Sequence, residues 1–249
     1  DITGNSQIPP AELKVTSMSA VDIDQDLDTD ILVGSQSQPL GYLENTGHGR
    51  FRWLTLPESD PLSVAANSLT VIGSSPQRSW NLLFAGPRGA FLMPTISPQV
   101  GLVRCESAQR ISDIPANGLM KWDYDNDGWT DVATWSGNEV RLFRGEPDDQ
   151  FHDVSHLLKP NELPGEIRVC RSTDIDRDGD LDLLLTQSDG ITLLKNQGGN
   201  QNSWLNVSLR AEQEKGGQVS ASGRVNHYGA GSVLELRSGQ RYQSQIAEN

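Results

Sequence analysis

The sequence has few of the residues that mark several protein classes. Only 2 of its 249 residues are cysteine, with no Cys-x-x-Cys pair to support a thiolate zinc site. Whether Cys105 and Cys170 pair stays open at this stage. No apolar run approaches the roughly 18 residues of a membrane-spanning helix, so we expect no membrane insertion in this segment. Lysine and arginine total 20 against 33 acidic residues, and this net charge of −13 argues against a nucleic-acid partner.

The acidic residues are concentrated in three short segments, 22–30, 123–131 and 174–182. These segments contain 14 aspartates, and outside them 19 acidic residues face 20 basic ones. The negative charge is therefore a local feature of three loops. So many carboxylates in short loops repel one another strongly unless a cation lies among them.

These acidic segments belong to an internal repeat of about fifty residues. The repeat units start near residues 22, 73, 123 and 174, at spacings of 51, 50 and 51. The second unit keeps the apolar run 81–86 but has lost its carboxylates. Ser75, Gln77 and Asn81 stand in their places, so we expect this unit to bind no calcium, and Arg78 is a candidate to fill part of the space.

Each unit contains four segments of strand length and no amphipathic helical pattern. One strand precedes the acidic loop, an apolar strand follows it, and two more follow turns, ending in segments such as FRWLTL and FHDVSHL. Four short antiparallel strands per unit are the blade pattern of a β-propeller, so we expect an all-β fold with little helix. Residues 1–3 resemble the last strand of a unit, and four blades are few for a propeller. We therefore expect part of a larger propeller, completed by further blades from the rest of the chain.

The acidic loops share one ligand template, Asp-x-Asp-x-Asp-Gly-x-x-Asp. Carboxylates at positions 1, 3 and 5 converge, and the position-7 carbonyl and the position-9 carboxylate complete an oxygen cage. Such hard oxygen donors in flexible geometry favour Ca²⁺ over Mg²⁺. The three loops contain no histidine or cysteine, which disfavours zinc and copper. An EF-hand is excluded, because its position-12 glutamate is replaced by Val33, Thr134 or Leu185 in apolar runs.

The first loop departs from the template at the glycine position. Leu27 stands there, and a left-handed backbone costs a non-glycine residue roughly 1–2 kcal/mol. We therefore expect two strong calcium sites, in the second and third acidic loops, and a weaker site in the first.

These loops resemble the FG-GAP/VCBS repeats of integrin-like calcium-binding β-propellers. The tails GHGRFRWL and PDDQFHDVS resemble the common ending of those repeats, and this resemblance extends over residues 1–203. Residues 204–249 resemble the start of an ASPIC/UnbV domain, as in the cartilage acidic protein-like family. That second resemblance rests on the strand from Trp204 to Leu209, on the turn with Asn226, Gly229 and Gly231, and on the strand 233–236.

The resemblance implies a secreted, cell-surface or periplasmic protein that binds Ca²⁺. It implies that the protein has no catalytic residues and acts by adhesion to, or interaction with, a protein or glycan ligand at the cell surface or outside it. The position-7 residue is implied to contribute only its carbonyl. Carried over by motif, the metal positions are Asp22, Asp24, Asp26, Asp28, Asp30, Asp123, Asp125, Asp127, Trp129, Asp131, Asp174, Asp176, Asp178, Asp180 and Asp182.

Two alternatives stay open from the sequence. A carbohydrate-active enzyme, such as a polysaccharide lyase or hydrolase on a calcium-containing propeller, predicts basic, histidine or tyrosine side chains converging on one face. The four histidines lie at unrelated positions of the repeat, which counts against that class. A purely structural spacer predicts no saturable ligand.

Overall fold

A computed structural model describes residues 13–56, 65–73, 80–99, 102–159, 163–205, 207–210, 232–238 and 241–246. These residues form four blades arranged as a β-propeller, which confirms the predicted all-β fold. Their only helical elements are three single-turn 3-10 helices, Pro147–Asp149, Ser155–Leu157 and Gly199–Gln201. In the described part of the chain, no helix has the length and apolar character needed to cross a membrane.

Each blade is an antiparallel sheet whose strands follow one another along the chain. Blade 1 contains β1 (Val15–Val21), β2 (Asp30–Ser35), β3 (Gly41–Asn45) and β4 (Phe51–Thr55). Blade 2 contains β5 (Ser68–Gly73), β6 (Trp80–Gly86), β7 (Gly89–Gln99), β8 (Leu102–Cys105) and β9 (Gln109–Ser112). Blade 3 contains β10 (Gly118–Trp122), β11 (Asp131–Ser136), β12 (Glu139–Glu146) and β13 (Gln150–Asp153). Blade 4 contains β14 (Ile167–Thr173), β15 (Asp182–Gln187) and β16 (Ile191–Leu194).

The expectation of four strands per unit is confirmed for blades 1 and 3 and corrected for blade 2. In blade 2 the 11-residue β7 is long enough to pair with β9 along its first part and with β8 along its second. Blade 4 has three strands within the described residues. The segment FHDVSHL is also shorter as a strand than expected, because β13 ends at Asp153 and a 3-10 turn follows.

The hydrophobic core lies between the blades. The second strands β2, β6 and β11 are largely buried, and all seven residues of β6 are buried. The side chains of β6 and β11 pack against blades on both sides. Clusters of buried hydrophobic side chains join successive blades, for example Leu32 of blade 1 with Leu82 of blade 2, and Leu83 of blade 2 with Val132 of blade 3. The first strands of successive blades contact one another, β1 with β5, β5 with β10, and β10 with β14. The acidic loops follow first strands in blades 1, 3 and 4, so all three lie on one face of the propeller.

The C-terminal part of the chain forms a hairpin of β17 (Val233–Ser238) and β18 (Arg241–Ile246). Strand β18 contacts β5, where the Ser244 side chain lies against Gly73. Of the turn residues expected for an ASPIC/UnbV domain, Asn226, Gly229 and Gly231 lie outside the described residues. The boundary at residue 204 stays a prediction. Both cysteines are free, Cys105 in blade 2 and Cys170 in blade 4, which settles the pairing left open by the sequence.

Candidate metal centres

The position-1 aspartate closes each acidic loop through the backbone. Asp22 Oδ1 accepts a hydrogen bond from Asp26 N at 3.1 Å, and Asp22 Oδ2 accepts one from Leu27 N at 3.2 Å. Asp123 and Asp174 accept from the same two positions in their own loops, at 3.0–3.2 Å. A single carboxylate therefore turns the chain back on itself, in the way that aspartate does in tight turns.

The position-9 aspartate fixes each loop to the sheet. Asp30 Oδ2 accepts from Ile23 N at 3.2 Å, and Asp30 Oδ1 accepts from Asn45 N on the third strand at 2.8 Å. Asp131 and Asp182 make the same two contacts, at 2.8–3.2 Å. All three side chains are fully buried. Burial raises the pKa of Asp30 to about 7 and that of Asp131 to about 8, against the opposing effect of these amide donors.

Two positions of each loop require a left-handed backbone. The φ angle at position 6 is 77° at Leu27, 89° at Gly128 and 96° at Gly179. The strained conformation expected for Leu27 is therefore confirmed, and its side chain extends into solvent with 89% exposure. Position 4 is also left-handed, with φ of 53–63°, although the sequence motif does not require glycine there; the residues are Gln25, Asn126 and Arg177.

Carboxylates converge in all three loops. The groups are Asp22, Asp24 and Asp30; Asp123, Asp125 and Asp127; and Asp174, Asp176 and Asp178. In each group, one oxygen from every residue lies within 4.8 Å of the others, so each cluster can hold a metal ion. Burial raises the pKa of Asp24, and the neighbouring charge of Asp26 raises it further. Burial likewise raises the pKa of Asp123 to about 6.

The other predicted positions lie around these groups without belonging to them. Asp26 is exposed, and its Oδ1 accepts from Asp28 N at 3.0 Å. Position 7 repeats this contact in the other loops, where Trp129 N donates to Asp127 Oδ1 at 2.9 Å and Asp180 N to Asp178 Oδ1 at 3.2 Å. Burial raises the pKa of both Asp28 and Asp180. The ligand roles of Asp26, of the position-7 residues, and of Asp131 and Asp182 stay predictions.

Charged residues at the end of the third strand, or just after it, lie beside each loop and were not predicted from the sequence. The acidic loops are called loop 1 (residues 22–30, blade 1), loop 2 (123–131, blade 3) and loop 3 (174–182, blade 4). In loop 2, Arg144 Nε lies 2.9 Å from Asp125 Oδ2, and its Nη2 lies 2.7 Å from Asp127 Oδ2. In loop 3, Lys195 pairs with Asp176 and lowers the pKa of that carboxyl. The available signal was positional: each residue immediately precedes the one whose amide binds the position-9 aspartate.

Blade 1 has the opposite charge at this position. Glu44 immediately precedes Asn45, is only 7% exposed, and its negative charge adds to the raised pKa of Asp24. It forms a bidentate ion pair with Arg52 of β4, at 2.5 and 2.8 Å. Loop 1 therefore faces a carboxylate where loops 2 and 3 face a cation.

Loops 2 and 3 are joined by hydrogen bonds between blades 3 and 4. Asn126 Nδ2 donates to Gly179 O at 2.8 Å and to Gly199 O at 3.0 Å. Asn196 Nδ2 donates to Tyr124 O at 2.6 Å. The Trp204 indole covers Gly179, where a Cβ atom would lie 2.0 Å from Nε1. The two loops thus form one continuous surface.

The second unit has no acidic loop in its sequence. Its Asn81 side chain forms a hydrogen bond to blade 3 instead. Asn81 is fully buried and its Nδ2 donates to Asp149 Oδ2 at 2.9 Å. The other residues considered there, Ser75, Gln77 and Arg78, lie outside the described residues. Asn81 is therefore engaged by a carboxylate of the neighbouring blade at the position that Asp30 occupies in blade 1.

The fold and the repeated loops define a β-propeller with aspartate-rich loops on one face. Residues 123–185, from the start of loop 2 to the strand after loop 3, match the model of the FG-GAP-like repeat family. This match supports the predicted FG-GAP β-propeller in that part of the chain, and the ASPIC/UnbV resemblance stays a prediction.

Comparison with whole proteins gives a similar structure but no curated relative. No curated protein matches the chain. One similar solved structure is that of an Agrocybe aegerita lectin, described as recognising non-reducing terminal N-acetylglucosamine. It has 13% sequence identity and a TM-score of 0.43, over 72% of this chain and 52% of that one. The chain therefore spans about half the length of that protein.

Proposed function

We propose that this chain is a calcium-binding, non-catalytic β-propeller module that works outside the cell in adhesion to, or interaction with, a protein or glycan ligand. Ca²⁺ ties the loop between the first and second strands in blades 1, 3 and 4. The observation that supports this most directly is the threefold repetition of one backbone cradle around carboxylates whose oxygens lie within 4.8 Å of one another.

The donor set fits calcium. The converging side chains are all carboxylates in short loops, and such oxygen ligands in flexible geometry suit Ca²⁺ better than the strict octahedron that Mg²⁺ requires. Several of these carboxylates have raised pKa values, because burial and mutual repulsion disfavour their charged forms. A bound divalent cation offsets this repulsion and stabilises the folded state by mass action.

Calcium titration of the purified chain by isothermal calorimetry tests the metal part of the proposal. We expect saturable binding at three sites and much weaker heats with Mg²⁺. A matched variant, Asp125→Asn, is expected to remove one site and leave the other two. The exposed Asp113→Asn serves as the control, because it makes the same chemical change outside the acidic loops. Equal binding of Mg²⁺, or unchanged stoichiometry in Asp125→Asn, contradicts the assignment.

The interaction part of the proposal needs its own test. The FG-GAP-like match at residues 123–185 supports a binding module rather than an enzyme. Arrays of immobilised glycans and of extracellular-matrix proteins, probed with and without calcium, are expected to show saturable, calcium-dependent retention. Incubation with uronate-rich polysaccharides examines the carbohydrate-active alternative, and shortening of those chains contradicts the non-catalytic role.

A further inference from the structure

One position of the repeat carries a different charge in each acidic loop. In each blade, one residue on or just after the third strand donates its backbone amide to the position-9 aspartate. The position in question is the residue immediately before it, which is Glu44 in blade 1, Arg144 in blade 3 and Lys195 in blade 4. The strand register makes these residues equivalent, because Leu43, Phe143 and Leu194 just before them pair with the residue that follows the position-9 aspartate. The fold therefore aims this side chain at the loop.

We propose that this position sets the calcium affinity of each site, with Arg144 and Lys195 acting as resident counter-cations that calcium must displace and Glu44 strengthening the first site. This inference rests on the proposed calcium binding and deepens it. It reverses the order expected from the sequence, in which loop 1 is the weakest site because of Leu27.

The geometry of loop 2 supports a direct competition. The Arg144 guanidinium lies against Asp125 Oδ2 at 2.9 Å and Asp127 Oδ2 at 2.7 Å, two of the three carboxylates in the cluster. A guanidinium that engages two carboxylates neutralises charge that would otherwise attract Ca²⁺, and it repels the incoming ion. Its side chain is 40% exposed, so it can move into solvent when calcium binds.

The third loop has a similar but weaker arrangement. Lys195 pairs with Asp176, one member of its cluster, and both side chains are partly exposed. A lysine ammonium is a flexible point charge without the planar fork of arginine, so it holds its carboxylate less firmly. We therefore expect the affinities to rank with loop 1 tightest, loop 3 next and loop 2 weakest.

Blade 1 carries a carboxylate instead of a cation at this position. Glu44 is held by Arg52, and its charge acts on Asp24 within the cluster. An added carboxylate beside a cation site strengthens attraction for a divalent ion. Leu27 already has its left-handed φ of 77° in this fold, with its side chain in solvent, so its strain is a cost of folding the loop and does not oppose calcium specifically.

Site-resolved NMR of the whole chain tests the proposal. The amides of Leu27, Gly128 and Gly179 each donate to the position-1 aspartate of one loop, so their shifts during a calcium titration report three separate midpoints. In Arg144→Gln, we expect only the Gly128 midpoint to move, to about tenfold lower calcium, as expected for removing one charge beside a divalent ion. The control is Arg141→Gln on the same strand, which pairs with Glu139 and Asp153 away from the loop.

The reciprocal change is expected in blade 1. In Glu44→Gln the Leu27 midpoint moves to about tenfold higher calcium, whereas the control Glu139→Gln moves none of the three. A Gly128 midpoint in Arg144→Gln that matches Arg141→Gln, or that moves to higher calcium, overturns this inference and leaves the calcium proposal standing. Wild-type amides that do not respond to millimolar calcium overturn both.

Discussion

Replacing Asp24 with asparagine is expected to change stability with opposite sign in the presence and absence of calcium. Asp24 is fully buried in the loop 1 cluster, within 4.8 Å of oxygens of Asp22 and Asp30. Two unit charges at that distance repel by about 1–3 kcal/mol, depending on how well water screens them. The asparagine side chain removes this repulsion and keeps an oxygen acceptor. In calcium-free buffer Asp24→Asn is therefore expected to be more stable than the wild type.

In saturating calcium the same substitution removes a ligand. If the affinity of loop 1 falls about a hundredfold, the lost stabilisation is about 2.7 kcal/mol with calcium in excess. About 1 kcal/mol corresponds to roughly 2–4 °C in melting temperature for a chain of this size. The relieved repulsion still contributes in calcium, so with a gain near 1 kcal/mol the net loss there is about 2 kcal/mol. We therefore expect a rise of a few degrees without calcium and a net fall of a few degrees with it.

Thermal unfolding followed by circular dichroism in both buffers measures these shifts, with Asp113→Asn as the control outside the loops. The sign reversal is the diagnostic feature, because a substitution that only disturbs packing lowers both melting temperatures. Shifts of the same sign and similar size in both buffers refute the assignment of Asp24 as a calcium ligand.

Three further predictions follow from the geometry of the loops. The pKa of Asp30 is about 7 and that of Asp131 about 8 in the folded chain, against an ordinary value of 3.8. In the calcium-free fold each carboxyl keeps a proton that the unfolded chain releases above about pH 4, so folding loses about 1.4 kcal/mol per group for each pH unit between that pH and the folded pKa. The calcium-free melting temperature is therefore expected to fall between about pH 4 and 8, while the shift produced by calcium grows. A calcium-free melting temperature that rises over this range contradicts the raised pKa values. Leu27→Gly relieves a left-handed backbone and is expected to raise the melting temperature by about 2–4 °C in either buffer, measured by calorimetry. Asn126→Gly keeps the left-handed φ but removes the two hydrogen bonds to Gly179 O and Gly199 O, so urea titration should show a loss of about 1–3 kcal/mol, and no loss contradicts the proposed joining of loops 2 and 3.

The repeated features of this fold follow from local chemistry, which is why the sequence predicts them. Spacings of 50 and 51 residues locate the blades, and the position-1 aspartate needs only its own loop to find its amides. The left-handed glycine position is equally local, and Leu27 adopts that conformation as expected. Repetition at a fixed period therefore determines both the propeller and the place of its acidic loops.

Features that depend on contacts between distant residues were not predicted. Arg144 reaches Asp125 and Asp127 only because the register of β11 and β12 places it there. The five-stranded blade 2 depends on the length of β7 and on a shift of register along it. A period in the sequence does not encode which side chains face each other across strands or between blades.

A thermal melt of the wild-type chain in millimolar calcium, in millimolar magnesium and in excess chelator tests the central claim most directly. The account predicts a melting temperature that is clearly highest in calcium, with magnesium close to the chelator value. Equal melting temperatures in all three buffers would contradict it, because the three carboxylate clusters would then be solvated turns that hold no structural calcium.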